Sequence, residues 1–349
     1  MTPTPTTRRS HRDEPHYFPA GDGVALTLIH VRGGADPVKG PLLLMHGAAM
    51  RAESFRPPVS RSVVDMLIDD GWDVWMLNWR GSLDLDPLPW TLDDVAEYDV
   101  PAAVRYILAQ TGAERVKAIG HCQGAAALSM ATVAGWVPEI DTVVVNSLSL
   151  HPHVPLFARV KLHVLRPLMM SRGSYVDIRW GDGPETGIAW ITRTAVRLAH
   201  PECHSPVCSM ASFAIGSGHP ALWHHENLDN ATHRWIRTEF GKIPMSLYAQ
   251  MAASNRAGQL VSVSGRPGLP HGYAAQPPNT DARFALFTGE DNRAFVPSGM
   301  RATYAFLERT QPGRHTLQVI PGYGHADVFL GRRAHVDVLP RLLHELNRV

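Results

Sequence analysis

The segment Val116-Lys-Ala-Ile-Gly-His-Cys-Gln-Gly-Ala-Ala-Ala-Leu128 constrains this chain more than any other. A short apolar run enters Gly120-His121-Cys122-Gln123-Gly124 and leaves into an alanine-rich stretch. A glycine-x-nucleophile-x-glycine pattern between strand and helix has a steric origin. The central residue occupies a strained turn, and the flanking glycines admit closely packed backbone. Cys122 is therefore expected at the top of a sheet, between the elbow glycines Gly120 and Gly124. A helix starting just behind it sets free N–H groups and a positive dipole end beside the sulfur, favouring a thiolate and later an oxyanion. The plain alternative is a small buried cysteine at a strand end. Against it stand three further segments in the order such a turn demands, and the absence of any Gly-x-Ser-x-Gly.

The first segment, Pro41-Leu-Leu-Leu-Met-His-Gly47, is an apolar strand ending at His46. The second, Arg314 to Asp327, is a strand with a Gly/Pro turn that carries His325, the histidine best placed to act as general base. The third, Arg283 to Pro297, is a strand followed by the acidic turn Glu290-Asp291-Asn292. Glu290 reads as a solvated loop charge. Either Asp291 or Asn292 is positioned to orient an imidazole, with Asn146 as the next candidate.

Strands are expected near 24–31, 41–45, 72–78, 116–121, 141–147, 283–288 and 315–320, and helices at 58–70, 93–111, 123–134, 298–310 and 334–347. That alternation implies an α/β fold with a mostly parallel sheet covered on both faces. Between residues 148 and 280 it breaks down, which marks an inserted cap. The expected organisation is a disordered tail at 1–18, core at 19–147, cap at 148–280 and the rest of the core at 281–349. In the cap, Leu156–Met170 reads as an amphipathic helix. Leu156, Phe157, Met169 and Met170, with Met50 and His121 outside it, are candidates to wall an acyl or polycyclic pocket. His151, His153, His224, His225 and His233 read as surface or structural residues.

Taken together, Trp72–Arg80, Trp90–Asp94, His121-Cys122, His151-Pro152, Pro201–Cys208, Asn230–His233, Asn292-Arg293 and Tyr323–His325 carry a family resemblance. The chain resembles an α/β-hydrolase with cysteine as nucleophile, as in polyhydroxyalkanoate synthases. It is more similar to hydrolase-type modules found beside or fused to bacterial cholesterol-oxidase-like flavoproteins. The resemblance implies acyl chemistry on hydrophobic substrates, with the N–H groups of Ala48 and Gln123 as the oxyanion hole. It implies the order nucleophile, acid, histidine. The family's usual Gly-x-x-Asp spacing lands on Asn292 rather than Asp291, so the third member stays open, with Asp291 slightly preferred. The expected chemistry is a thioester acyl-enzyme on Cys122, discharged to water or to an alcohol, amine or thiol acceptor. The rivals are a cysteine-dependent esterase or thioesterase and a non-catalytic module binding a ligand or a flavoprotein.

The chain's 349 residues, 44% of them hydrophobic, suffice for one large core plus a cap. A net charge of +1 argues against nucleic acid as partner. Arg8-Arg9-Ser10-His11-Arg12 lies in a Pro/Thr-rich tail without the apolar stretch of a secretory signal, so the cytoplasm is the default location. Three cysteines make no disulfide framework, and no cofactor is expected. The spacing of Cys203 and Cys208 matches none of the common structural zinc patterns, which leaves packing or a local disulfide as the reading and no metal in the site.

Overall fold

The computed structural model describes residues 11–165, 173–182 and 187–348. Its main sheet runs in the order β1 (Arg12–Pro19), β2 (Ala25–Arg32), β4 (Asp73–Asn78), β3 (Pro41–Met45), β5 (Val116–His121), β6 (Ile140–Asn146), β9 (Arg283–Gly289) and β10 (Thr316–Ile320). Strand β2 pairs antiparallel with both β1 and β4. From β4 to β10 every pairing is parallel. Strands β3 and β4 are buried throughout because a parallel sheet is covered on both faces. Their side chains divide by alternation. Leu43 and Met45 join the core beneath α3 (Cys122–Val133), and Leu42 and Leu44 join the one shared with α1 (Val63–Asp69) and α10 (Leu339–Asn347).

Three boundaries differ from the sequence reading. Residues 1–10 lie outside the described residues, but Arg12–Pro19, all but its last residue assigned above to the tail, is an edge strand. Of its side chains only Phe18 is buried, so the alternation that betrays a strand is weak. Helix α1 begins at Val63 rather than 58, where Ser62 and Asp65 form a reciprocal cap. The helix expected over 334–347 is two, Ala334–Asp337 and α10, which restarts with Pro340 in its first turn.

Helix α2 (Val100–Thr111) is entered through a π turn at Val95–Asp99 and ends at Gly112, whose φ of 70° suits glycine. Every residue of α3 is buried. Alanines let it lie close to the sheet, and the hydroxyls of Ser129 and Thr132 bond back to the carbonyls of Ala125 and Leu128.

Between β6 and β9 the chain leaves the sheet. It forms α4 (Leu156–Val160), the two-stranded ribbon β7 (Tyr175–Asp177) and β8 (Lys242–Pro244), and helices α5 (Gly187–Ala199), α6 (Pro206–Ile215), α7 (Asn230–Trp235) and α8 (Met245–Ala257). Helix α9 (Pro297–Thr310) follows β9. Among the described residues, no helix is long and apolar enough to cross a membrane.

Candidate active site

Cys122 sits where β5 becomes α3, with φ of 54°, a value strained for any residue bearing a Cβ. The glycines on either side explain how the turn closes. A Cβ on Gly120 would lie 2.5 Å from Ala125 Cα, and one on Gly124 only 2.3 Å from the His46 carbonyl oxygen. Across from the turn, a Cβ on Gly47 would come within 3.2 Å of Cys122 Cβ. These glycines bring the loop after β3 against Cys122.

That loop is pinned from several sides. Trp79 Nε1–H donates to the His46 carbonyl at 3.0 Å, and the two rings stack at 5.3 Å. The His46 Nδ1–H bonds to the Gly47 carbonyl at 2.7 Å. Ala49, with φ of 57°, donates its N–H to Gly81 and accepts from Gly241. The result is that the N–H groups of Ala48 and Gln123 both face the sulfur of Cys122, where they favour its charged form. These are the two donors expected for the oxyanion.

The pull toward a thiolate expected from the helix end is outweighed. Burial pushes the Cys122 thiol up to about 12, outweighing the pull of the Gln123 and Ala48 N–H groups. Burial likewise brings His325 down to about 3. At neutral pH both groups are uncharged, so this is not a pre-formed ion pair.

His325 stands on the loop after β10, at the same C-terminal end of the parallel strands as Cys122. Its N–H donates to the Leu222 carbonyl at 2.8 Å, and its carbonyl accepts from Ser147 Oγ at 2.8 Å. Its Nδ1 bonds to Asn292 Oδ1 at 3.2 Å. The buried Asn292 is itself fixed. Its Oδ1 also accepts from the N–H groups of Ala294 and Phe295, and its Nδ2 donates to Thr288 Oγ1 and the Ser147 carbonyl. The slight preference for Asp291 is thus corrected. The Asp291 carboxylate turns away to His224 Nε2 at 3.0 Å, and Glu290 is exposed. Asn146 serves His121 instead, its Nδ2 donating to Nδ1 at 2.8 Å, and the His121 ring lies 5.0 Å from that of His325.

Sequence reasoning missed Asp327, two residues beyond His325. Its buried carboxylate accepts from the N–H groups of Gly324 and His224 and from Asn227 Nδ2, holding the histidine's loop. Burial pushes it up to about 6 despite those donors.

Above Cys122 lies a cavity of about 110 Å³, walled mainly by apolar side chains including Val154, Leu162, Phe213, Met245, Met251 and Phe295. The pocket residues expected from the sequence are largely replaced. Leu156 and Phe157 are 75% and 52% exposed. Ala158, Lys161 and Leu162, from the same stretch, face the cavity instead, because its helical turns present the opposite side. Met50 and His121 line a separate small cavity with Phe55 and Phe329. Met169 and Met170 lie outside the described residues. Lys161, lowered to about 8 by burial, donates through Nζ to the carbonyls of Phe213 and Gly216 at the end of α6.

Comparison with known proteins agrees with this fold. Residues 40–163 match the family described as alpha/beta hydrolase fold. The structure superposes on a soluble variant of monoglyceride lipase from Saccharomyces cerevisiae with a TM-score of 0.61 and 16% identity, covering 99% of this chain and 97% of that one. The chain has the α/β-hydrolase fold.

Its curated relatives bear lipase names. Lipase member K of Homo sapiens is 24% identical over 340 residues, 90% of this chain and 82% of that protein. A tear acid lipase-like protein of Mesocricetus auratus is 36% identical over 121 residues, so the chain spans 30% of that relative's length. The stretch shared with the hydrolase-fold family includes the elbow and the loop of Ala48, the parts this geometry places around the sulfur.

Proposed function

We propose that this hydrolase-fold chain cleaves a hydrophobic ester or thioester through a thioester acyl-enzyme on Cys122. The observation that carries the reading is that Ala48, Cys122 and Gln123 meet at one end of an apolar cavity, with the N–H groups of Ala48 and Gln123 placed to favour negative charge at the sulfur. A role in ligand binding or flavoprotein docking alone would have no use for that arrangement. As sulfur attacks the carbonyl carbon, its proton passes to His325, with Asn292 holding Nδ1 and fixing the tautomer. The developing oxyanion takes over the N–H groups of Ala48 and Gln123. His325 returns the proton to the departing alcohol or thiol, then deprotonates the second nucleophile, which breaks the thioester.

Water as that nucleophile gives hydrolysis, the reaction the relatives' names describe. An alcohol, amine or thiol gives acyl transfer. The apolar walls favour this second outcome, because a thioester keeps its transfer potential where water is scarce.

Intact-mass spectrometry after mixing with p-nitrophenyl esters and acyl thioesters tests both steps. A single acyl adduct is expected, absent in Cys122→Ala, and discharged faster by the proper acceptor if transfer is the reaction. Turnover by a folded Cys122→Ala variant within tenfold of the wild type would overturn the mechanism.

A further inference from the structure

Outside the active site, the cap gathers four side chains whose chemistry the acyl reaction leaves unused. Cys203 lies between α5 and α6, Cys208 in the first turn of α6, His225 in the turn His225–Asn227 and His233 in α7. One ligating atom from each lies within 4.8 Å of all the others. Cys208 Sγ is 3.2 Å from His225 Nε2, and the rings of His225 and His233 are 5.2 Å apart. A tetrahedral zinc with ordinary Zn–S and Zn–N bonds has ligand-to-ligand edges of about 3.3 to 3.8 Å. Closing these four atoms onto an ion therefore needs only small side-chain movements. We infer that Cys203, Cys208, His225 and His233 form a structural zinc site.

The surroundings fit that use. His233 Nε2 is buried and has no hydrogen-bond partner. The other nitrogen of His225, Nδ1, faces Glu202 Oε2 at 3.8 Å, and the Glu202 side chain is 3% exposed. A carboxylate behind a histidine in this way fixes its tautomer and orientation toward a metal. The Ser205 N–H points at Cys203 Sγ at 3.4 Å, and Ser205 Oγ caps the helix that presents Cys208. Two sulfurs and two imidazoles select zinc over magnesium or calcium, which prefer oxygen. Four protein ligands leave no open position, so the role is to hold structure. Both thiols lose their protons on binding, which makes affinity fall with pH.

The sequence concealed this site because the two histidines lie 17 and 25 positions beyond Cys208. Its place in the fold gives it a purpose. His225 is three residues after Leu222, whose carbonyl holds the N–H groups of His325 and Ala326 at 2.8 and 2.9 Å. Between them, His224 bonds to Asp327 through its N–H and to Asp291 through its ring. A zinc ion would clamp the cap segment on which the catalytic histidine hangs.

The test is elemental analysis of the full chain, expressed with zinc and desalted, in which about one zinc per chain is expected. Exchange to cobalt(II) should give thiolate charge-transfer bands and the intense visible bands of tetrahedral coordination. Cys208→Ser and His233→Ala should lose the metal, and His204→Ala, an exposed neighbour outside the cluster, should keep it. Chelation of the wild type should lower Tm by about 5 °C or more, restored by zinc and not by magnesium. Metal-free protein that takes up no zinc in a chelator-competition titration overturns the inference. So does a Cys203–Cys208 disulfide found by peptide mapping of the native protein, or a cobalt spectrum without thiolate bands.

Discussion

Asn292→Asp replaces the neutral partner of His325 with a charged one of nearly the same shape. In the wild type, burial alone holds His325 down at about 3. A carboxylate oxygen at the observed 3.2 Å from Nδ1 would attract the imidazolium by about 5 kcal/mol at an effective dielectric of about 20. That sets a ceiling of about 4 pKa units, and charges at this range shift such groups by about 1 to 3. The variant's His325 should therefore titrate between about pH 4 and 6. The structural cost is the loss of the Nδ2 bonds to the Ser147 carbonyl and Thr288 Oγ1, at about 1 kcal/mol each. The assay is kcat/KM for a p-nitrophenyl ester from about pH 4 to 9, read at a wavelength where phenol and phenolate absorb equally. The acid limb should move up into the accessible range in Asn292→Asp and stay in place in Asp291→Asn. If a folded Asn292→Asp enzyme shows an unmoved limb, or if Asp291→Asn moves it, residue 292 does not hold the histidine and the reasoning fails.

Because Cys122 rests as a thiol raised to about 12, iodoacetamide should label it slowly at pH 7 and faster with each step in pH, and a fast, pH-independent reaction would show a thiolate instead. For the same reason Cys122→Ser should keep measurable turnover, since the site already works with a neutral nucleophile and a neutral base; complete loss, with adduct formation confined to the wild type, would contradict this. Gly124→Ala should cost about 3 kcal/mol or more by urea unfolding, as its Cβ would meet the His46 and Met45 carbonyl oxygens at 2.3 and 2.9 Å, whereas Gly34→Ala, with open space around it, should be near neutral. Stability should fall as pH drops from about 6.5 toward 4, because the unfolded chain takes up protons that His46, His121, His151, His200, His315 and His325 refuse when folded. Each such histidine contributes up to about 1.4 kcal/mol per pH unit; Asp99 and Asp327, raised to about 6, oppose this below pH 6 but are fewer, and a flat Tm between pH 7 and 5 would count against it.

The elbow was legible because its constraint is local: apolar strand, two glycines and an alanine helix already force the turn. The parallel core was legible for a similar reason, since buried strands such as Leu42-Leu43-Leu44 have no polar face to confuse them. Asp291 and Asn292 could not be separated by composition, as adjacent residues in a turn point to different sides. What separates them is packing, which draws Asn292 inward onto two backbone N–H groups and leaves Asp291 to His224. The cavity was the least legible part. Its walls come from elements as distant as Val154, Phe213 and Met251, each an ordinary apolar position in its own segment.

The Leu222 carbonyl beneath His325 has a consequence for how this fold can be rebuilt. In many layered proteins an insertion can be excised and the remaining core still assembles. Here the excursion between β6 and β9 returns to the loop after β10 and supplies the acceptor for its two consecutive amides, those of His325 and Ala326. Grafting another enzyme's cap onto this core would exchange more than the substrate chamber. It would leave the His325 and Ala326 amides without their partner, so the shape of the cavity and the placement of His325 are inherited together, as one unit of sequence.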